Sequence, residues 1–348
     1  DSGTPGVDVH NPLTNPAEGP PAGNPDGKSP IPSDAAPENT SSPTRVIGNG
    51  TKESCTSKAV VDAVAKGGII TFNCGPDDVV ITMTETAKIV NNTGPEIVLD
   101  GGGKVTLSGG GTVRILYMNT CDKAQVWTTP KCDNQDLPHL TVQNLTFIDG
   151  WAPGEDLLSG GGAIYVQGGR FKVVNSRFFN NKCSPGGTDV GGGAIRAFLQ
   201  YNTLPVYIVN STFGGGETLG NSCANGGALS SIGVSYTVIN SLFSYNTAVG
   251  KGANAPSNGE LGGGNGGAIY NDGNTYTLTV LGSRFENNTA NEGGGAIFYV
   301  SNDGSGHLVI RDSQLIHNPS LGFETNGYPG IFVKTNATPT IESSLLQK

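Results

Sequence analysis

Two short elements alternate along the second half of the chain, and their fixed order constrains the fold more than any other feature. The first is Gly-Gly-Ala followed by Ile or Leu, at residues 161–164, 192–195, 226–229, 266–269 and 294–297. Its alanines, Ala163, Ala194, Ala228, Ala268 and Ala296, are spaced by 31, 34, 40 and 28 residues. The second carries a polar pair and then an aromatic, at Asn144–Phe147, Asn175–Phe178, Asn210–Phe213, Asn240–Phe243 and Gly282–Phe285, with a weakened copy at Asp312–Leu315. Constant order with elastic spacing marks a solenoid, in which each turn stacks on the last and loops absorb insertions. β-Rich runs precede the aromatics, as in Phe171-Lys172-Val173-Val174. Alternate residues of such runs point inward and stack on counterparts one turn away. The Gly-Gly-Ala step admits a tight corner where a Cβ would clash. The repeated Asn positions suit a ladder of side-chain hydrogen bonds at another corner.

Composition agrees with an all-β chain. Glycine supplies 54 of 348 residues, which disfavours a helical bundle, because Gly costs a helix about 1 kcal/mol relative to Ala. It does not recur at every third position, so collagen is excluded. No apolar run approaches the ~18–20 residues needed to span a bilayer as a helix. A formal charge of −9 and a pI near 4.9 argue against a nucleic-acid partner. Six cysteines, Cys55, Cys74, Cys121, Cys132, Cys183 and Cys223, lack the paired spacing and nearby histidines of a zinc site. Their even count suits an oxidised compartment, and neighbour pairing 55–74, 121–132 and 183–223 is the simplest of the possible connectivities.

Three regions follow. Residues 1–45 hold ten of the 21 prolines and no Phe, Trp or Tyr, a composition that predicts an extended tail or flexible linker. Residues 46–120 read as an N-terminal cap and initial coils. Within them, 54–66 forms a helix with Ser54 or Thr56 as N-cap, Gly67-Gly68 as stop and Val60, Val61 and Val64 on one face. Short strands are expected at 69–72, 79–82, 97–99, 105–107 and 113–117, with the glycine triplets 101–103 and 109–111 between the last three. The helix is placed to cover an open sheet edge. Residues 121–345 are the repeats. Seven Asn-x-Ser/Thr sequons, at Asn39, Asn49, Asn91, Asn144, Asn210, Asn287 and Asn336, would permit glycosylation in a suitable host.

The alternating Gly-Gly-Ala-Ile-Tyr and Asn-Ser-x-Phe-x-x-Asn elements resemble the secreted bacterial right-handed parallel β-helix proteins of the pectin-lyase-like superfamily. Gly-Gly-Ile-Ile-Thr-Phe-Asn-Cys-Gly-Pro at 67–76 and Val-Leu-Asp-Gly-Gly-Gly at 98–103 resemble the initial coils of its secreted members. The resemblance covers roughly 46–345. It implies a right-handed parallel β-helix and a location outside the cell or on its surface, but not one activity, since the superfamily mixes lyases, hydrolases and adhesins.

Candidate chemistry is sparse. Cleavage of a glycosidic bond by hydrolysis needs two carboxyls about 5–9.5 Å apart. The adjacent Asp-Asp of polygalacturonases occurs only at Asp77-Asp78, without their Gly-His-Gly or Arg-Ile-Lys elements, and the pectate-lyase Arg-x-Pro-x-x-Arg signature is absent. Glu155, Asp156, Asp189 and Glu260 occupy equivalent loops, where an acidic row offers the hard oxygen ligands that Ca²⁺ takes; no other cofactor is suggested. Arg177 and Arg284 share one slot of their repeats, with Arg311 near it, placed either to meet an acidic sugar or to pair with carboxylates such as Glu286 and Asp312. Tyr165, Tyr270 and Phe298 follow Gly-Gly-Ala-Ile in register with Arg196, and an outward row of this kind makes a platform for sugar rings.

Three functions remain open. The first is a surface or secreted non-catalytic module, structural or adhesive, self-associating through its tail or helix ends. The second is a lyase or hydrolase acting on an acidic polysaccharide. The third is a carbohydrate-binding module using the aromatic row.

Overall fold

Hydrogen bonds between successive turns gather the chain into four rows of parallel strands. The computed structural model describes residues 10–154 and 159–348, and over them the chain winds as a parallel β-helix. The first row includes Arg170–Val174, Val206–Val209, Tyr236–Ile239 and Thr277–Leu281. The second includes Arg177–Phe179, Thr212–Gly214, Leu242–Ser244 and Arg284–Glu286. A short fourth row, from Trp151–Ala152 to Thr289–Ala290, leads to the third, which holds Ile164–Gln167, Ile195–Phe198, Leu229–Ile232, Ile269–Gly273 and Ile297–Ser301. Glu96–Ser108 and His139–Ile148 run through both of the first two rows. The glycine triplet at 101–103 therefore parts no strands. Gly102 and Gly103 take positive φ, and the ladder shifts register between Asp100 and Val105 instead of ending.

Each corner repeats one device. Between the first two rows, Asn144, Asn175, Asn210, Asn240, Gly282 and Asp312 occupy left-handed conformations, which Asn and Gly tolerate better than other residues. The next residue is serine in the last five of these turns, and the backbone N–H of each of the first four donates to the serine Oγ of the following turn, from Ser176 through Ser211, Ser241 and Ser283 to Ser313. The asparagine ladder lies later, after the aromatic. There the backbone and side-chain N–H of Asn181 both donate to Asn221 Oδ1 at 2.9 Å, and Asn221, Asn246, Asn288 and Asn318 continue the chain. Each of these amides also donates to a backbone carbonyl, as Asn246 does to Phe213 O. At the Gly-Gly-Ala corner the second glycine leaves no room: a Cβ on Gly267 would lie 2.0 Å from Gly295 O.

Inside the tube, Phe147, Phe178, Phe213, Phe243 and Phe285 stack with centroids 4.6–4.9 Å apart and planes within 6°. The strand separation of about 4.8 Å dictates this ring spacing. Leu315 continues the column in register, as the weakened sixth copy implies. At the N-terminal end the helix α1, Ser57–Lys66, buries Val60, Ala63 and Val64 in the core. Thr56 is its N-cap, accepting from Ala59 N, and Arg45 donates to the carbonyls of Lys66 and Gly67 at its other end.

The proline-rich segment does not stand off from the solenoid. From residue 40 back to residue 24 it climbs the outer face of the first row, and from residue 23 back to residue 13 it returns along the second. Thr40 Oγ1 donates to Asp100 Oδ2 at 2.8 Å, and Glu38 exchanges bonds with the Gln143 amide. Ala35, fully buried, sits on Val174, Val209 and Ile239. Asn24 reaches Asn240 O and Gly282 O, and Thr212 Oγ1 bonds to Pro21 O and Gly23 N. Arg177 donates to the carbonyls of Glu18, Pro20 and Pro16, and Leu13 packs near Ile148, Phe179 and Leu219. Prolines limit the entropy lost on ordering such a strap, and side chains of the solenoid satisfy its backbone. Between residues 13 and 40 the contacts that hold the strap are made to its own solenoid.

Two outcomes follow from this architecture. Asn246→Ala removes the acceptor for two N–H groups of Asn221 and should lower stability in urea by at least about 2 kcal/mol, since buried groups are left unpaired. The exposed Ser257→Ala should change it by less than about 0.5 kcal/mol. Asp100 is buried, which raises its pKa, but bonds from Asn144, Gln143, Gly102 and Thr40 outweigh burial and hold it below the usual 3.8. Its contribution is therefore complete above pH 3.8 and lost as pH falls below it. Proteolysis of the strap should accelerate in that acid range, and Asp100→Asn should weaken the pH dependence.

Candidate functional site

The residues expected to form an outward row do share one column of the third row. Register pairs Tyr117 with Tyr165, Tyr165 with Arg196, Arg196 with Ser230, Ser230 with Tyr270, Tyr270 with Phe298 and Phe298 with Phe332. Ile164, Ile269 and Ile297 beside them fill the main core, whereas Tyr270 and Phe298 cluster separately with Val300, Ile232 and Phe332. The column faces away from the tube. It is not an exposed platform: Tyr165, Arg196, Tyr270 and Phe298 are 2%, 0%, 0% and 5% exposed.

The covering loops explain the burial. The 40-residue interval between Ala228 and Ala268 contains a loop whose Asn254 Nδ2 donates to the Tyr270 hydroxyl at 2.5 Å. That hydroxyl donates to Asp189 Oδ1 at 3.1 Å, from a loop two turns earlier. Gly187 N bonds to Gly262 O, which ties the two loops together. The Arg196 guanidinium bonds to Ser230 Oγ and to the Asp189 carbonyl, and lies 4.4 Å from the Phe198 ring centroid. At the other end Tyr165 stacks on Tyr117 at 5.4 Å, and the Arg114 guanidinium lies 5.1 Å from its ring. Tyr117 and Phe332 extend the column beyond the expected residues. Gly330-Ile331-Phe332 keeps the Ile-aromatic alternation without the Gly-Gly-Ala corner, and that alternation is the signal that finds it.

Electrostatics follow from burial. Desolvation pulls the Arg196 pKa down to about 10, against Tyr270, Tyr165 and Asp189, which favour its charge. Burial raises Tyr165 and Tyr270 well above the ordinary phenol range, and raises Asp272 despite bonds from Asn302 and Tyr270. At neutral pH the tyrosines are therefore neutral donors. The Tyr270 hydroxyl joins Asn254 of one loop to Asp189 of another, and the Tyr165 hydroxyl donates to Gln167 Oε1.

The acidic row does not assemble as a metal centre in the described structure. Asp189 faces Tyr270, Glu260 is exposed on the covering loop, and Glu155 and Asp156 lie outside the described residues. Among the described residues no three His, Cys, Asp or Glu side chains converge on a metal position. The arginines are engaged within the protein. Arg284 pairs with Glu286 at 2.6 Å, Arg311 with Glu342 at 2.7 Å, and Arg177 holds the strap. Cysteines pair as 55–74, 121–132 and 183–223. Register also builds a polar cluster that sequence reasoning missed. His139 lies between Glu96 (2.8 Å) and Asp136 (3.3 Å), and Arg170 pairs with the same Asp136 oxygen. Their positions, 96, 139 and 170, carry no motif; only strand pairing brings them together.

With this geometry in view, a family model described as the Chlamydia polymorphic membrane protein (Chlamydia_PMP) repeat matches residues 240–272 and 282–299. Both stretches run from the left-handed corner, through the Phe and ladder Asn, to the Gly-Gly-Ala corner and its aromatic. Comparison with curated proteins and with solved structures returned no match.

Tyr270→Phe deletes the hydroxyl that joins Asn254 to Asp189. Stability should fall by about 1–3 kcal/mol, and protease cleavage within 249–265 should increase. Unchanged cleavage would mean that the loop is held by other contacts.

Proposed function

We propose that the chain is a surface-displayed β-helix that works without turning over a substrate, as an adhesive or structural module. The observation that carries this reading is the match of two turns to a polymorphic membrane protein repeat. What recurs within those turns supports it. The recurring Phe, Ser, Asn and Gly-Gly-Ala residues serve the stack of one turn on the next. Three disulfides suit display in an oxidising environment. No helix among the described residues is long and apolar enough to cross a membrane. A long, internally bonded rod carries loops of different length along its edges, and those loops would make the contacts.

The test joins location to activity. External protease on intact cells of the source organism should degrade the protein, and beads coated with it should adhere to cells or matrix. Uronate-containing and neutral polysaccharides, with and without Ca²⁺, should emerge unshortened. Protection until lysis would remove surface display, and shortened polysaccharide would replace the module with an enzyme.

A further inference from the structure

We infer that the outer face of the first two rows is a groove that holds residues 13–40 as a detachable ligand, and that two copies of the chain join by exchanging these straps. The strap is held as a bound peptide is held. Between residues 13 and 40 its internal hydrogen bonds are confined to local turns, such as Gly27 N to Asn24 O and Ala35 N to Pro32 O, so it has no fold of its own. Side chains of the solenoid grip its backbone instead. The Gln143 amide accepts from Glu38 N at 2.8 Å and donates to Glu38 O at 3.1 Å. The Asn240 amide pairs in the same way with Ser29, at 2.9 Å for both bonds. Thr212 Oγ1 accepts from Gly23 N and donates to Pro21 O, and Lys172 Nζ donates to Ala36 O at 2.7 Å.

The groove also selects its occupant. A Cβ on Gly27 would lie 2.6 Å from Gly282 O, and one on Gly23, where φ is +89°, would lie 3.0 Å from Asn240 O. Ala35 is fully buried on Val174, Val209 and Ile239, and Glu38 pairs with Lys172 at 2.5 Å. Two glycines, a small apolar residue and an acid are thus required at fixed spacing along an extended chain. This protein's own segment meets all four requirements, and a second copy supplies the identical segment.

The connection to the solenoid permits the exchange. Residues 41–44 are exposed, and among the described residues Ser41, Ser42 and Pro43 make no hydrogen bond to the solenoid. Proline fixes its own φ and favours extended backbone in the residue before it, so the four steps from Thr40 to Thr44 reach up to about 14 Å. The bond from Thr44 N to Ile69 O begins the solenoid, at the N-terminal end of the first row. Two copies with these ends together form an isologous pair, in which each strap crosses to the other's groove. Contacts in cis and in trans are the same, so protein concentration decides between them. The opportunity arises during assembly, since Asn24 can meet Gly282 only once that turn exists. This linkage is between copies and is independent of what the displayed loops adhere to.

The test uses the full oxidised chain in two preparations, one of them grown on heavy nitrogen. Equal amounts are concentrated together, taken below pH 3.8, where Asp100 loosens its hold on Thr40, and returned to neutral pH. Carbodiimide then joins Glu38 to Lys172 across their ion pair, and digestion with mass spectrometry reads the isotopes of the joined peptides. Dimers should increase with protein concentration. In the dimer fraction, linkages between a light and a heavy peptide should be as frequent as unmixed ones, whereas monomers should give unmixed linkages alone. Ala35→Arg, which sets a cation on the apolar seat, should cut mixed linkages at least about tenfold while the β-sheet signal in circular dichroism is kept. Absence of dimers at every concentration, dimers whose linkages are all unmixed, or undiminished mixed linkage in folded Ala35→Arg would overturn the exchange.

Discussion

Parallel stacking at about 4.8 Å is the constraint on which the rest of this molecule depends. It places equivalent side chains of successive turns directly above one another, so every column must tolerate its own repetition. Phenylalanine meets this condition by ring stacking, and serine and asparagine meet it because each carries both a donor and an acceptor. A buried ionic column would not, since like charges would repel at the same spacing. Arg196 is therefore instructive. It interrupts an aromatic column, has the small Ser230 in the next turn, and obtains partners from Ser230 and from the loop carbonyl of Asp189.

Much of the fold was legible because repetition is a property of the sequence itself. The alternation of Gly-Gly-Ala with the Phe element marked the turns, and its change of period from Ala228 to Ala268 marked an insertion. The cysteine pairs were also legible, since each joins sequence neighbours. Less legible was which asparagine forms the ladder. Asn175 and Asn181 flank the same Phe178, and only backbone conformation separates the left-handed corner from the amide stack. The composition of the strap predicts an extended tail or flexible linker because it cannot make a core; the partners that hold it, such as Arg177 and Gln143, lie more than a hundred residues away.

The aromatic column shows the limit of alternation as a guide. Strand parity places Tyr165 and Tyr270 on the outer side, correctly, but parity does not report what lies above a sheet. Exposure was decided by loops whose length was visible and whose path was not. The stapled edge gave even less warning. Asn91 reads as an ordinary sequon, and its buried amide emerges only from the convergence of a turn, a disulfide loop and a carbonyl one coil away. The scaffold repeats and the edges do not, so chemical individuality gathers in the insertions.

The strap also changes how this solenoid must form. A simple stack of turns can grow from any point, each unit needing only its neighbour. Asn24, however, bonds to Gly282 across 258 positions, and the contacts between them span several turns of both outer faces. The segment synthesised early in the chain thus reaches its place only after the later turns exist to receive it. Order of synthesis and order of docking run in opposite directions, and the strap closes over turns that extend as far as Gly282.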